Sequence, residues 1–422
     1  MIKFPKIRLY LSSLTVYRSL LADETVQRYF RMLDAAENGG LLDFGDAYGV
    51  FAAGLLKSDC GLDFSAHLER LARYDDNAFS RAAANRDDAA VARMTPAALR
   101  DFETLKMMSS FSCDEIKAIV KERFAATKGA VEFVDGLPEF KTENGWFSPD
   151  ADTMLGEATA FYREQGFGPF ARFGAFRWRN GRLTEVEYPD PIRLSDLKDY
   201  EYERGLVVSN TLDFLEGTDG GNLLLYGDRG TGKSSTVKAI ANEYRDKGLR
   251  IVEVAKESLT EFPALLDVLR KIPLKFLIFI DDLSFSADDD AFSALKSVLE
   301  GGLVHQPDNC LIYATSNRRH LVKESFSERN ADDVHAGDTM QEKLSLADRF
   351  AMTVNFFAPD QRTYCHIVSA LARDRNMNVP ATELERGAIQ WALKAGGRSP
   401  RTAKQFVAWA EARWKKGLPV FD

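Results

Sequence analysis

The sequence predicts an α/β protein in which a parallel sheet with helices on both faces lies between two mainly helical parts. Residues 1–165 place apolar residues at three- and four-residue spacing, which is typical of helices. Residues 192–358 alternate short apolar runs with helix-length segments, and only helical patterns follow Pro359. Such alternation favours a parallel sheet covered on both faces, so the middle part is expected to carry the sheet.

The N-terminal part, residues 1–165, is expected to be a helical domain. Its apolar periodicity predicts helices over 26–36, 66–73, 97–108 and 112–126. Ser112 followed by Glu115 is a capping-box pattern, which favours a helix start at that point. No motif with recognisable chemistry occurs in this part of the chain.

Residues 166–191 are expected to form a hairpin and linker that joins the two halves. Two short runs rich in aromatic and β-branched residues flank Asn180-Gly181, a pair that favours a tight type I′ turn. Pro189 and Pro191 then interrupt regular structure before a new pattern begins near Leu194.

The core, residues 192–358, contains five apolar runs that predict strands. They cover 222–226, 250–254, 276–280, 310–314 and 351–356. The last part, residues 359–422, is expected to be a small helical lid subdomain. Its helical patterns cover 360–375, 382–395 and 400–414.

The first core strand runs into a glycine-rich loop with the pattern GxxxxGK[ST], and a helical pattern follows. A polyphosphate needs close backbone approach, fixed N–H donors and a neutralising cation, which the loop, the helix start and Lys233 supply. Ser234 would place its hydroxyl on Mg²⁺. A glycine-rich turn that carries a lysine by chance is the alternative, and the flanking strand and helix weaken it. The predicted nucleotide-binding residues are Gly227, Asp228, Arg229, Gly230, Thr231, Gly232, Lys233, Ser234 and Ser235.

Two later strands end in polar side chains. The run 276–280 leads into Asp281 and Asp282, 48 residues after Lys233. Asp281 is the natural partner of Mg²⁺, and Asp282 stands where a carboxylate would orient the attacking water. The next strand leads to Asn317, which is our choice for contacting the γ-phosphate or that water. The alternative for Asp281 and Asp282 is that they only cap the following helix, and the alternative for Asn317 is an ordinary asparagine in a turn.

Two arginines are candidates for stabilising the transition state of phosphoryl transfer. Arg349 precedes the fifth strand, and Arg401 begins a C-terminal helix. Charge that develops on the transferred group attracts guanidinium groups of this kind. Taken singly, each is more often a surface arginine.

The order of these motifs resembles that of the AAA+ ATPases, and in particular a bacterial AAA+ family known as domain-of-unknown-function family 815. The resemblance covers about 170–410 and is weaker over the N-terminal helices, where only DDNAFSRAAA matches. The segments that carry it are GDRGTGKSSTVKAI, FIDDLSF, LKSVLEGG, YATSNRRHL, LADRF, GGRSPRTAKQFV, FRWRNGRL and PDPIRLSDL.

The resemblance implies an AAA+ P-loop NTPase core with a five-stranded parallel sheet, helices on both faces and a helical C-terminal lid. ATP and Mg²⁺ would bind between core and lid, and the chain would assemble into a homo-oligomer in which Arg349 acts in trans on a neighbour. Tyr200 belongs to a segment, 194–200, that resembles the one lying against adenine in AAA+ proteins. Residues 318–343 form a charged stretch that is either a partner-contacting element or a surface loop.

Three functions are compatible with these motifs. The leading one is an ATP hydrolase that couples Mg-ATP turnover to conformational change on an unknown macromolecular client. Since most such ATPases have glutamate at the position of Asp282, a slow-hydrolysing nucleotide switch is the second. The third is a nucleic-acid-acting factor of the helicase-loader or initiator kind, favoured by basic residues and tryptophans between Lys394 and Lys416. A solvated basic lid helix with core tryptophans is the alternative for that stretch. A small-molecule kinase is disfavoured, because it needs neither an Asn317-type contact to the γ-phosphate nor an arginine such as Arg349 that acts on a neighbouring subunit.

Composition narrows the class of protein further. The net charge of -8 and pI near 5.4 argue against a general nucleic-acid coat. Four cysteines lie far apart without a CxxC pair, so neither zinc nor disulfides are indicated and a reducing cytoplasm is expected. Charged residues interrupt the first twenty residues, which argues against a secretion signal. The apolar run 276–280 is far shorter than the roughly 20 residues that span a bilayer, so no membrane is expected.

Overall fold

The structure is a computed structural model, and its chain divides into two compact units, Met1–Arg172 and Phe173–Asp422. No helix among the residues described is both long enough and apolar enough to cross a bilayer. The charged stretch 318–343 lies outside the described residues. These residues are 9–109, 111–142, 145–218, 220–285, 290–300, 306–317 and 347–420.

The first unit is helical, as the sequence predicts. Its helices are α1 (Glu24–Asn38), α2 (Leu41–Leu56), α3 (Phe64–Arg73), α4 (Ala78–Ala84), α5 (Asp88–Ser109), α6 (Cys113–Arg123), α7 (Ala130–Asp135), α8 (Ala151–Gln165) and α9 (Gly168–Arg172). The predicted capping box is confirmed at the start of α6. The Ser112 hydroxyl accepts from the Glu115 N–H at 3.1 Å, and the Glu115 carboxylate accepts from the Ser112 N–H at 3.0 Å.

The DDNAFSRAAA segment forms a capped helix start in the first unit. Asn77 and Ser80 form a capping box at the start of α4, and Asp76 accepts two hydrogen bonds from Arg81. Asp75 is 9% exposed and accepts from Ser19 and Asn77. Its burial raises the pKa of this carboxyl group. In this structure the segment thus positions helix α4.

A second buried carboxylate holds the chain ahead of α1. Asp101, on α5, is 1% exposed. Its Oδ2 accepts from the backbone N–H groups of Thr15, Val16 and Tyr17 at 3.0, 2.7 and 3.0 Å. Three donors on one carboxylate fix this loop on α5, because each would otherwise lose its partner.

Replacing Asp101 by alanine is expected to lower the free energy of unfolding by about 3 kcal/mol, because buried donors lose a charged acceptor. Urea unfolding of the full chain measures this change. Glu103→Ala is the matched control, since Glu103 is exposed two residues further along the same helix and should change little. An equal effect of the two substitutions would contradict the assigned role of Asp101.

The second unit is built on a sheet with the order β2-β1-β4-β5-β6-β3-β7. Its strands are β1 (Ala175–Arg179), β2 (Arg182–Glu185), β3 (Leu223–Gly227), β4 (Leu249–Val254), β5 (Lys275–Ile280), β6 (Cys310–Ser316) and β7 (Met352–Phe356). All neighbouring pairs are parallel except β1 with β2. The five predicted strands are all present, and the predicted α/β class with a parallel core sheet is confirmed.

The expectation of five strands is nevertheless too low, since the described residues form seven. The predicted hairpin supplies the two additional strands, and β1 pairs in parallel with β4, with Phe176 opposite Val252. Phe176 and Trp178 are buried at 2% and 1% exposure, so one face of β1 packs into the unit. Asn180 and Gly181 both have positive φ, as a type I′ turn requires.

Helices cover the sheet and form the C-terminal subdomain of this unit. They are α10 (Glu201–Glu216), α11 (Lys233–Glu243), α12 (Phe262–Leu269), α13 (Asp290–Leu299), α14 (Gln361–Asp374), α15 (Ala381–Lys394) and α16 (Pro400–Trp414). Helices α10 and α11 lie against strands of the sheet. Helices α14, α15 and α16 pack together around an apolar cluster that includes Tyr364, Leu384 and Phe406. The last three, called the lid here, cover the three predicted C-terminal helical patterns.

Candidate nucleotide-binding site

A cleft of about 700 Å³ opens in the second unit where β3, β5 and β6 end. The lid helices α14 and α16 form its other side. The carboxyl ends of parallel strands are where open α/β sheets bind ligands, because the loops and helix N-termini there face the crevice. Twelve of the sequence-predicted residues line it, ten of which come from the loop and the strand ends: Arg229, Gly230, Thr231, Gly232, Lys233, Ser234, Ser235, Asp281, Asp282 and Asn317. Tyr200 and Arg401 line it too.

Gly227 and Asp228 do not line the cleft, although the motif includes them. Gly227 has φ +137°, and a Cβ there would lie 2.1 Å from the Phe356 carbonyl oxygen on β7. The Asp228 N–H donates to that same carbonyl at 3.1 Å, and its carboxylate accepts from the Ala358 N–H at 2.8 Å. These two residues therefore attach the loop to the edge strand, which only a glycine permits at position 227.

The lid approaches the loop at Gly230. The Arg401 N–H donates to the Gly230 carbonyl at 3.2 Å, and a Cβ on Gly230 would lie 3.0 Å from the Arg401 Cβ. Ser399 caps α16 by accepting from the Thr402 N–H at 3.1 Å, and Pro400 follows in its first turn. The sequence Ser-Pro-Arg thus begins α16 against the loop and places Arg401 at the cleft.

Lys233 is buried, with 6% of its surface exposed. Its Nζ donates to the carbonyl oxygens of Gly227 and Asp228 at 2.8 and 2.7 Å, and to Asn317 Oδ1 at 3.3 Å. Burial lowers the pKa of Lys233 from its ordinary value, while the carboxylates nearby act in the opposite direction. The ammonium group therefore lies at the loop, close to where a phosphate would replace these carbonyl contacts.

Hydroxyl groups converge on the carboxylate of Asp281. Ser234 Oγ and Thr315 Oγ1 each donate to Asp281 Oδ1 at 2.6 Å. A hydroxyl and a carboxylate are the oxygen ligands that Mg²⁺ takes in P-loop proteins, so Ser234 and Asp281 at this cleft fit that ion. No group of three or more histidine, cysteine or acidic side chains that could hold a metal ion occurs among the described residues.

Asp282 has a backbone conformation that is rare outside glycine, with φ +51°. Asn317 Nδ2 donates to Asp282 Oδ1 at 2.5 Å, and Lys233 donates to the oxygen of the same amide. Lys233, Asn317 and Asp282 therefore form one chain of hydrogen bonds across the cleft. Strained residues of this kind concentrate at functional sites, where surrounding contacts hold them in place.

Tyr200 forms part of the cleft wall, also in a left-handed conformation at φ +62°. Its ring stacks on Phe356 with centroids 5.6 Å apart, and its hydroxyl donates to the Phe357 carbonyl at 2.5 Å. Burial raises its pKa well above the ordinary tyrosine value. Four apolar residues complete this wall and were not among the predicted site residues: Ile192, Leu197, Ile367 and Leu371. Ile192 and Leu197 belong to the motif segment PIRLSDL.

Two side-chain contacts connect this wall to the lid. Lys198 Nζ lies 2.7 Å from Asp374 Oδ2, and Asp199 Oδ2 lies 3.0 Å from His366 Nδ1. His366 and Asp374 are both on α14. Lys404, one turn beyond Arg401 on α16, also lines the cleft and was not among the predicted site residues.

Arg349 is not brought to the cleft of its own chain. It lies in a 3-10 turn, Ala347–Arg349, and its guanidinium pairs with Glu300 at 3.1 Å. Nearly half of the side chain, 47%, is exposed. Arg349 is therefore not among the residues that line the cleft of its own chain.

The tryptophans of the basic C-terminal stretch pack in the lid, whereas most of its basic residues are exposed. Lys415 pairs with Glu411 at 2.6 Å, and the Arg413 guanidinium lies 4.9 Å from the ring centre of Trp409. Trp409 packs against the lid core, beside Trp391 at 5.3 Å. These contacts favour the lid-helix interpretation of this stretch over a nucleic-acid surface.

Residues 171–414 match the model of a family described as "Protein of unknown function (DUF815)". That stretch is more than half of the 422 residues. The chain belongs to the DUF815 family. The resemblance stated from its motifs is thereby confirmed, and the matched region contains every predicted site residue of this DUF815 protein.

Several solved structures are similar to this DUF815 chain in fold. One is a point mutant of Thermotoga maritima RuvB, with 14% identity, TM-score 0.39, and coverage of 55% of this chain and 69% of that chain. Another is the Thermotoga maritima RuvB Holliday junction branch migration motor, with 15% identity, TM-score 0.37, and coverage of 55% and 68%. No sequence among the curated proteins matches the chain.

Proposed function

We propose that this DUF815 protein binds Mg-ATP in the cleft, hydrolyses it, and couples turnover to conformational change on a macromolecular client. The observation that carries the proposal is one connected cluster at the ends of three strands. Lys233 contacts Asn317, Asn317 contacts Asp282, and Ser234 contacts Asp281. A cation, an amide and two carboxylates at one cleft are the groups that phosphoryl transfer to water requires.

Each residue has a distinct task in this proposal. The loop amides and Lys233 bind the phosphates, and the backbone at Gly230 and Gly232 gives them close approach. Mg²⁺, held by Ser234 and Asp281, would neutralise charge on the β- and γ-phosphates. Asp282 orients and polarises the attacking water, and Asn317 fixes Asp282 and contacts the γ-phosphate.

The lid supplies the mechanical link in the proposed cycle. Arg401 reaches the cleft from α16, whose first turn contacts Gly230, and α14 is tied to the adenine side through Lys198 and Asp199. A change in phosphate charge alters the attraction of Arg401, so the lid is expected to move on hydrolysis and product release. The homo-oligomer, with Arg349 acting on a neighbour, and the cytoplasmic location belong to the same proposal.

The variant Asp282→Asn is expected to retain ATP binding and to reduce turnover by about 100-fold or more, because the general base is lost. Asparagine tolerates the left-handed backbone at this position, so the fold is expected to persist. Phosphate release and equilibrium binding of ATP measure the two effects separately. Affinity purification with this variant in the presence of ATP should retain the client.

Asp290→Asn serves as a control for removing one negative charge outside the cleft, at the start of α13. It should leave turnover unchanged. Unchanged turnover in Asp282→Asn would remove Asp282 from the proposed chemistry, and loss of ATP binding would show that it serves binding instead.

A slow-hydrolysing switch is the second candidate, and one observation favours it. The short Asp282 side chain is held by the Asn317 amide at 2.5 Å, so its carboxylate must leave this contact or share it to reach a water. Single-turnover kinetics separate the candidates. Hydrolysis much slower than one event per minute would favour the switch over an ATPase with the common rate of about 1–10³ per second.

A further inference from the structure

Thr315 lies at the end of β6, directly behind the two carboxylates, and it was not among the predicted site residues. It is 2% exposed. Its hydroxyl donates to Asp281 Oδ1 at 2.6 Å and accepts from the Asp282 N–H at 2.9 Å. One side chain therefore uses both of its hydrogen-bonding functions on the two adjacent acids.

The backbone of Thr315 holds the same loop. Its carbonyl accepts from the Leu283 N–H at 2.7 Å, so three consecutive residues, Asp281 to Leu283, are attached to this single position. Between them Asp282 adopts φ +51°, which costs a non-glycine residue of order 1–3 kcal/mol unless neighbouring contacts over-determine it. The Asp282 N–H donates to the Thr315 hydroxyl and, at 3.1 Å, to Asp281 Oδ1, while the Asn317 amide donates to the Asp282 carboxylate, and these contacts hold Asp282 in this conformation.

We propose that Thr315 is a positioning residue, which fixes Asp281 for Mg²⁺ and Asp282 for water through one hydroxyl. The inference rests on the proposed function. A hydroxyl that bonds a metal-binding carboxylate selects the rotamer of that carboxylate and aims its free oxygen at the ion. Because the same hydroxyl accepts from Asp282, its loss would disturb both acids together.

The test is the Mg²⁺ dependence of nucleotide affinity, which needs no turnover. Thr315→Val keeps the branched shape but removes the hydroxyl, leaving the Asp282 N–H without this acceptor. A fluorescent, non-hydrolysable ATP analogue is titrated into the full chain with EDTA and with increasing Mg²⁺. We expect the Mg²⁺ concentration for half-maximal tightening to rise about tenfold in Thr315→Val, while affinity in EDTA stays the same.

Thr315→Ser keeps the hydroxyl and should restore the Mg²⁺ dependence of the unchanged protein. Ser316→Ala is the matched control from the neighbouring position. Ser316 is 1% exposed and donates to the Leu283 carbonyl at 2.8 Å, so it supports the same loop through Leu283. Its removal should leave the Mg²⁺ dependence unchanged. If Thr315→Val fails to fold, the comparison of Thr315→Ala with Thr315→Ser carries the test.

An unaltered Mg²⁺ dependence in the variant without the hydroxyl would overturn the inference. So would an equal change in Ser316→Ala, since the effect would then belong to loop support in general. If the unchanged protein does not bind the analogue, or binds it without any influence of Mg²⁺, the proposed function itself fails. Failure of the inference and failure of the proposed function are distinguishable, because the first is measured on the Thr315 and Ser316 variants and the second on the wild-type protein.

Discussion

Replacing Lys233 by alanine is expected to reduce ATP turnover by at least about 100-fold and to weaken ATP binding strongly. Lys233 is 6% exposed, and its ammonium group lies at the loop that would receive the phosphates. In the alanine variant a triphosphate would meet the backbone amides of the loop but no buried cation. The charge-assisted hydrogen bonds that are lost are among the strong ones in proteins. Equilibrium binding of labelled ATP and phosphate release measure both effects.

Lys238→Ala is the matched control for this experiment. Lys238 is on the same helix, α11, and is not among the residues that line the cleft. Its removal should leave binding and turnover unchanged, whereas Asp281→Ala should lose Mg²⁺-dependent turnover as Lys233→Ala does. Retained turnover in both Lys233→Ala and Asp281→Ala would contradict the proposed ATPase.

The core strands and the loop were predictable because their signals are local. An apolar run, a glycine-rich turn and a helix start follow one another within residues 223–243, and each restricts the backbone by itself. The same is true of Asp281, which directly follows an apolar run, and of Asn317, which stands at the end of a strand whose apolar run covers 310–314. Parallel strands then bring these ends together without further information, because their carboxyl ends meet at one edge.

The position of the hairpin was not predictable in this way. Its turn was, since Asn180-Gly181 specifies two positive φ angles. Its attachment to β4 depends on a non-local pairing of Phe176 with Val252. Nothing in the local pattern of either strand selects the other, so the sheet has two more strands than expected.

Helix α2 of the first unit was missed, and helix α5 was predicted only over 97–108, for different reasons. Helix α2, Leu41–Leu56, contains several glycines, which disfavour a helix on propensity alone. One of them, Gly45, lies so close to the Phe133 ring that a Cβ would be 2.7 Å from it, so packing explains the residue. Helix α5 continues through Pro96, where the sequence pattern indicated a helix start.

Details of the candidate site depend on contacts between strands. The Thr315 hydroxyl, the left-handed Asp282 and the contact of Lys233 with Asn317 each join residues from different strands or loops. A residue pattern specifies which side chains stand at a strand end. It does not specify which of them bond to one another, and that choice decides the orientation of both acids.

Replacing Arg349 by alanine is expected to reduce turnover by about 10³-fold in an assembled protein, with ATP affinity nearly unchanged. Arg349 does not line its own cleft, and 47% of its side chain is exposed beside Glu300. In the proposed function this guanidinium stabilises transition-state charge on the nucleotide of a neighbouring subunit. The loss should therefore appear in turnover and in its dependence on protein concentration.

Mixing two inactive variants tests the direction of this contact. Arg349→Ala keeps an intact cleft, and Lys233→Ala keeps an intact Arg349. At a mixed interface the first variant supplies the cleft and the second supplies the arginine, so turnover should return in part. Two variants that act within one chain cannot restore each other, and absence of recovery in mixed oligomers would contradict the assignment in trans.

Glu300→Gln is the control that separates the arginine from its ion pair. It removes the Arg349–Glu300 salt bridge, 3.1 Å long, and leaves the guanidinium in place. Because a partly exposed pair contributes only about 0–1 kcal/mol, stability should change little and turnover should persist. Equal loss of turnover in Glu300→Gln and Arg349→Ala would mean that the local ion pair matters, and the guanidinium would then have no role at a neighbour's phosphate.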